Sequence, residues 1–175
     1  MVCATTFNWI HNVEGIDWFI QNVLAELFNN NHKIRLKLIG KNIPKKFIRY
    51  QDIGLVNVGY VPQVQPYYNH SALNISPIFV GGGIRIKILE AMAMKLPVLA
   101  TSVAAEGIKA KYDDGLIICK NKSEFIDNIE KLISNPKKID DLGKSAREFV
   151  SKNHSWDKNV KVILDNYKQI MKIQV

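Results

Sequence analysis

Two spacings of apolar residues alternate along the chain: short β-rich runs, and longer stretches in which apolar positions recur every third or fourth residue. The short runs predict six strands, over Val2 to Phe7, Arg35 to Ile39, Leu55 to Val58, Ala72 to Ser76, Pro97 to Ala100 and Leu116 to Cys119. Gly40 stops the second, and Asp113-Asp114-Gly115 introduces the sixth. Between strands one and two, Ile16, Phe19, Ile20, Val23, Leu24 and Leu27 hold one face of a helix predicted from Val13 to Phe28, followed by Asn29-Asn30-Asn31. Pro44 opens a short helix to about Tyr50, and Pro62 to Tyr68 gives another. After strand four, Ile84, Ile88, Ala91 and Met92 mark a helix that runs straight out of three glycines to about Met94. Asn121, with Glu124 three residues on, caps a helix whose stripe is Phe125, Ile126, Ile129, Leu132 and Ile133, and Pro136 ends it. Another amphipathic helix is predicted from Ile139 to about Val150. Ser155 caps the last, in which Trp156, Val160, Ile163, Leu164, Tyr167, Ile170 and Met171 share a face.

Strands that alternate with helices throughout predict an α/β domain: a doubly wound, parallel, six-stranded Rossmann-like sheet in the order 3-2-1-4-5-6. In that order strands one and four are neighbours at the topological switch point, so the loops after Phe7 and after Ser76 open onto one crevice. A nicotinamide cofactor would need its glycine fingerprint after strand one, where the chain reads Phe7-Asn8-Trp9-Ile10. The glycines follow strand four instead.

That glycine stretch carries the candidate chemistry. Gly81-Gly82-Gly83 removes every Cβ ahead of a helix start, where main-chain N–H groups are unpaired and attract an anion, most readily a phosphate. Arg85 and Lys87 fall in the expected first turn, where cations oppose the helix dipole unless an anionic ligand offsets them. Glu90, seven residues after Gly83, would return to the same helical face, at a distance that suits a diphosphate next to a ribose. A carboxylate there can accept two hydrogen bonds from a vicinal diol. The competing reading is a plain glycine turn with solvated charges.

Composition narrows the setting. The 175 residues, 47% hydrophobic and 23% charged, suit one domain spanning 1–175. No apolar run reaches the length of a membrane span and the first residues lack signal-peptide character, so a cytoplasmic location is the expectation. The net charge of +8 is spread over many lysines, which suits peripheral contact with the anionic inner face of a membrane or attraction of a phosphorylated ligand. No nucleic acid partner is expected, because no recognition motif accompanies the basic residues. Cys3 and Cys119 read as buried free thiols, the four histidines are scattered, and neither a metal nor a cofactor is expected.

The sequence resembles the C-terminal half of a GT-B glycosyltransferase of the large retaining group 1 family. The likeness lies in Thr6-Phe-Asn-Trp-Ile-His-Asn-Val-Glu-Gly-Ile16, Leu38-Ile-Gly40, Gly59-Tyr-Val-Pro62, Gly81-Gly-Gly-Ile-Arg-Ile-Lys-Ile-Leu-Glu-Ala-Met-Ala93, Pro97-Val-Leu-Ala-Thr-Ser102 and Glu106-Gly107. It implies a domain that binds a nucleotide diphosphate sugar, within an enzyme that transfers the sugar to a glycan or lipid-linked acceptor in cell-surface polysaccharide biosynthesis. By the same resemblance, Glu90 holds the ribose, the Gly81 to Ile84 backbone the diphosphate, Arg85 or Lys87 its charge, and Gly40 with the Tyr60-Val61 backbone the base. The catalytic side chain and acceptor site are expected in an N-terminal domain outside these residues, so that this stretch alone would be inactive.

Two departures stand out. Many members carry a second glutamate, near the donor sugar, eight positions before Glu90; Gly82 stands there, which leaves sugar recognition without a named carboxylate. The basic pair that many members place after strand one is also missing, with Asn12 and Glu14 nearby, and Arg85 and Lys87 are the candidates to supply that charge. A nucleotide-sugar 2-epimerase half and a non-catalytic nucleotide-binding module are the alternatives. If the likeness extends to the last helix, its apolar face should lack a full partner within these residues.

Overall fold

A computed structural model describes residues 1–30 and 32–173. Six parallel strands form one sheet: β1 (Val2–Ala4), β2 (Leu36–Ile39), β3 (Leu55–Gly59), β4 (Asn74–Ser76), β5 (Val98–Ala100) and β6 (Leu116–Ile118). Their spatial order is β3-β2-β1-β4-β5-β6, the order the alternating pattern predicts. Along each strand, side chains point alternately to opposite faces. Cys3, Leu38, Ile75, Leu99 and Ile117 thus join one hydrophobic cluster, while Val2, Ile39, Val98, Ala100 and Leu116 join a second on the other face.

Helices cover both faces. On the first face lie α1 (Ile10–Phe19), which continues through a π-helical turn at Ile20–Leu24 into α2 (Ala25–Asn29), and later α5 (Lys122–Ile133), with Phe19 and Phe125 meeting edge-on at 5.5 Å. The second face carries α3 (Gln65–Asn69), α4 (Ile86–Ala93) and α6 (Pro136–Asn153). A 3-10 helix, Lys45–Ile53, precedes β3. The first helix begins three residues earlier than Val13, at Ile10, because Asn12 N–H already bonds to Trp9 O. It ends at Asn29, and Asn31 of the expected terminus lies outside the described residues.

Two differences from the sequence expectation have local causes. Pro136 does more than end α5: it is the first residue of α6, where its missing N–H costs nothing, and Asn135 caps that helix by accepting from Lys138 N at 3.1 Å. Strand one stops at Ala4 rather than Phe7. Thr5 to Phe7 leave the sheet as a loop, with Thr5 N donating to Ile39 O and Phe7 N to Lys41 O.

The last helix, α7 (Trp156–Ile173), leaves its apolar side open as expected: Trp156, Val160, Ile163, Leu164, Tyr167, Ile170 and Met171 are all exposed. No helix among the described residues is long and apolar enough to cross a membrane. Cys3 and Cys119 are buried free thiols. Burial pushes the Cys3 thiol up to about 11 and the Cys119 thiol up to about 12, so both stay protonated at neutral pH.

Candidate functional site

Every strand from β1 to β4 contributes its following loop to one crevice at the carboxyl edge of the sheet. The crevice, about 750 Å³, is lined by Thr5, Thr6, Trp9, His11 and Asn12 after β1, by Gly40 and Lys41 after β2, and by Tyr60, Val61 and Val64 after β3. Beyond β4 it is closed by Ile84, Arg85, Ile86, Lys87 and Glu90. A cavity of that size, at the switch point, suits a small ligand with several functional groups. Backbone hydrogen bonds stitch the mouths of the first three loops together, Gly40 N donating to Gly59 O at 2.8 Å and Thr5 N to Ile39 O at 2.9 Å.

Most of the sequence-derived site residues meet there. Gly40, Tyr60, Val61, Ile84, Arg85, Lys87 and Glu90 all line the crevice. Gly81, Gly82 and Gly83 do not; they form an exposed loop beside it, and Gly81 faces a second cleft. The helix also starts later than expected. Gly81 and Gly83 have φ of 112° and 86°, and Arg85 is extended at φ −84°, ψ 93°, so helical geometry begins only at Ile86. Arg85 is therefore the N-cap residue rather than part of the first turn, and Ile84 is 51% exposed instead of belonging to the buried stripe of Ile88, Ala91 and Met92. Glu90 lies one turn into α4, not two, and still reaches the crevice from its exposed face.

The cations are held in different ways. Arg85 gives one N–H to Gly82 O, while its Nε and Nη2 are shut away from solvent with no hydrogen-bond partner among the described residues. Unpaired buried donors on a guanidinium are costly, and an oxyanion would satisfy them. Lys87 stretches across to the loop after β1, where its Nζ donates to Thr5 Oγ1 at 3.0 Å and Asn12 Oδ1 at 3.3 Å. Asn12 is itself fixed by donating to Thr6 O at 2.8 Å. The ammonium thus stands beside the loop in which the sequence lacks a basic residue, delivered by α4 instead. Burial lowers the Lys87 pKa below the ordinary lysine value; nearby Cys3 opposes that shift and the Arg85 charge adds to it.

That lowering carries a prediction with a definite sign. An anion in the crevice prefers charged Lys87, so affinity for a diphosphate should fall as pH rises through the depressed lysine pKa. In the empty protein the unfolded chain holds the Lys87 proton more tightly, so over the window between the depressed and the ordinary pKa the Lys87 contribution to stability should rise with pH. Titrating pyrophosphate affinity and melting temperature against pH checks both, and Lys87→Arg should move both transitions out of the window.

Sequence reasoning missed several wall residues. Lys41 stacks its Nζ 4.8 Å from the centre of the Tyr60 ring, and Trp9 and His11 stack at 6.2 Å beside the opening. Tyr68, buried, lies at the base of the crevice, and burial raises its hydroxyl pKa. Lys41 follows closely on the end of β2, Trp9 and His11 lie in the stretch after β1 that carries the family likeness, and Tyr68, on α3, had no such signal.

Fold and crevice together define a doubly wound α/β domain with an open cavity at its switch point, lined by two cations of the α4 region and one carboxylate. The family model described as "Glycosyl transferases group 1" matches residues 1–135, and the chain belongs to that family. An "Uncharacterized 44.6 kDa protein in cps region" of Klebsiella pneumoniae is 26% identical over 85% of this chain and 40% of its own length. The solved C-terminal domain of a glycosyl transferase group 1 family protein (LpcC) from Francisella tularensis superposes with a TM-score of 0.70 at 19% identity, over 89% of this chain and 86% of that one. HepE of Anabaena, solved in complex with UDP, superposes at a TM-score of 0.77 and 12% identity over 96% of this chain and 48% of that one. The fold is thus that of the C-terminal domain of GT-B enzymes. The chain spans 40% and 42% of the length of two curated relatives it matches.

Proposed function

We propose that this chain is the donor-binding domain of a glycosyltransferase that takes a hexose from a nucleoside-diphosphate sugar and passes it to a glycan or lipid-linked acceptor. The observation that carries this reading is the pair of cations in the crevice: Arg85, whose buried Nε and Nη2 have no hydrogen-bond partner among the described residues, and Lys87, poised toward the same space and bonded among those residues to the neutral oxygens of Thr5 and Asn12. A diphosphate supplies the missing acceptors and charge. In the same reading Glu90 accepts from the ribose hydroxyls, and Gly40, Tyr60 and Val61 border the base. When the bond between anomeric carbon and diphosphate breaks, negative charge grows on the leaving oxygen, where Arg85 and Lys87 hold it. The acceptor site and the remaining catalytic groups belong to a second domain, which in this reading also covers the exposed face of α7. The description of the Klebsiella relative as lying in a cps region favours a surface-polysaccharide product.

A nucleotide ladder tests the proposal. In calorimetric titrations with uridine, UMP and UDP, and with the guanosine and adenosine series, affinity should rise by about tenfold or more from monophosphate to diphosphate in at least one series. Equal affinity for nucleoside, monophosphate and diphosphate would place the cations outside the binding event and end this reading.

A further inference from the structure

The loop Gly81-Gly82-Gly83 separates the crevice from a second cleft of about 510 Å³, lined by Phe79, Val80, Gly81, Ser102, Val103 and Glu106. Glu106 is exposed, and among the described residues its carboxylate makes no hydrogen bond and no ion pair. A Cβ built on Gly82 would lie 3.7 Å from Glu106 Oε2, ordinary van der Waals contact, whereas a Cβ on Gly81 would lie 2.8 Å from Arg85 Nη2. The loop is therefore straddled by the guanidinium on its crevice side and a free carboxylate on its other side. Gly82 also differs from its neighbours in backbone: Gly81 and Gly83 have positive φ, and Gly82 does not. Nothing in the conformation at position 82 demands glycine, so what the missing side chain provides there is space beside Glu106.

The segment that carries Glu106 is fixed in place. Buried Thr101 donates its hydroxyl to Ile78 O and accepts from Ala104 N at 3.1 Å, while Ala105 N donates to Thr101 O at 3.1 Å. The turn after β5 is thereby tied to the chain leaving β4, and Glu106 projects from a braced platform beside the glycines.

Resting on the donor reading above, we propose that Glu106 is the sugar-binding carboxylate of this site, accepting hydrogen bonds from hydroxyls of the hexose that hangs from the diphosphate. A donor lying along the crevice has its base near Tyr60, its ribose at Glu90 and its phosphates at Arg85 and Lys87, and it emerges at the bare glycine loop. Past the loop the charged side chain lining the second cleft is Glu106, from a different strand's loop, standing where a side chain at position 82 would otherwise point. An anionic acceptor there suits a neutral, hydroxyl-rich sugar and disfavours a uronic acid, whose carboxylate it would repel.

Paired titrations of the chain test this with UDP against UDP-glucose and GDP against GDP-mannose. At least one sugar nucleotide should bind more tightly than its own diphosphate, and Glu106→Gln should remove about a tenfold share of that sugar-dependent gain while leaving diphosphate affinity in place. Gly82→Glu added to Glu106→Gln should restore the gain, since position 82 has room for a Cβ and does not have the positive φ of Gly81 and Gly83. The proposal is overturned if neither sugar nucleotide exceeds its diphosphate, if Glu106→Gln keeps the full gain, or if it weakens UDP and UDP-glucose equally, as a purely structural role would. Loss of all nucleotide binding by the unaltered chain is a different result: it removes the donor reading itself.

Discussion

Lys87→Met is expected to weaken UDP affinity by about ten- to a hundredfold while moving the melting temperature by no more than a few degrees. The side chain is close to isosteric, so the change removes one charged donor from the crevice and little else. Charge-assisted hydrogen bonds to phosphate contribute about 1.5–3 kcal/mol each, which sets the size of the loss. Stability responds in two opposing directions. Losing the bonds to Thr5 Oγ1 and Asn12 Oδ1 leaves the latter short of a donor, and Asn12 is only 6% exposed. Against that, the fold no longer shelters a cation that burial and Arg85 disfavour. A lysine that mattered only as a strut between α4 and the β1 loop would give the reverse outcome, lower stability with unchanged nucleotide affinity. Calorimetric titration and thermal denaturation of the same preparation separate the two.

Gly40→Ala should be the most damaging single-methyl change in the chain. Gly40 has φ 145°, and a Cβ there would fall 1.6 Å from Thr5 O, a backbone atom that itself belongs to the stitched mouth of the crevice. The clashing atom is main chain, so relief requires the backbone after β1 to shift where it pairs with β2 through Thr5 N and Ile39 O. Backbone strain and overpacking together predict a loss of about 3 kcal/mol or more, a fall in melting temperature on the order of 10 °C for a chain of this size. Gly59→Ala is the control, because Gly59 has φ 83° but a Cβ there would meet nothing within 4 Å, so only the strain remains, about 1–2 kcal/mol. Similar melting temperatures for the two variants would show that the loops part easily.

The fold was largely legible in the chain because each strand and helix carries its own period, and the switch point follows from counting the strands. The Asn121 cap was equally legible: Asn121 Oδ1 accepts from Glu124 N at 3.0 Å, as the three-residue spacing predicts. Reading failed where two signals overlapped. Ile84 fits the period of Ile88, Ala91 and Met92, yet the glycines beside it and the extended Arg85 hold it outside the helix. Pro136 looked like a terminator, while its more specific meaning, a first helical residue after an Asn cap, was equally present in Asn135-Pro136. Of the site, Arg85, Lys87 and Glu90 could be named from spacing and residue type. Their partners could not. Lys87 meets Asn12 across 75 residues of sequence, and Glu106 stands beside Gly82 from a separate crossover, so only the folded sheet brings those groups together.

In the proposed donor complex the cations of α4 and its N-cap hold a diphosphate in the switch-point crevice, with Glu90 on the ribose. A crystal structure of the chain with UDP tests it most directly. Phosphate oxygens are expected within hydrogen-bond distance of Lys87 Nζ and of Arg85 Nε or Nη2, and ribose hydroxyls on the Glu90 carboxylate. A nucleotide found with its phosphates away from both cations, or held at the opposite edge of the sheet near Lys33 and Arg35, would contradict it.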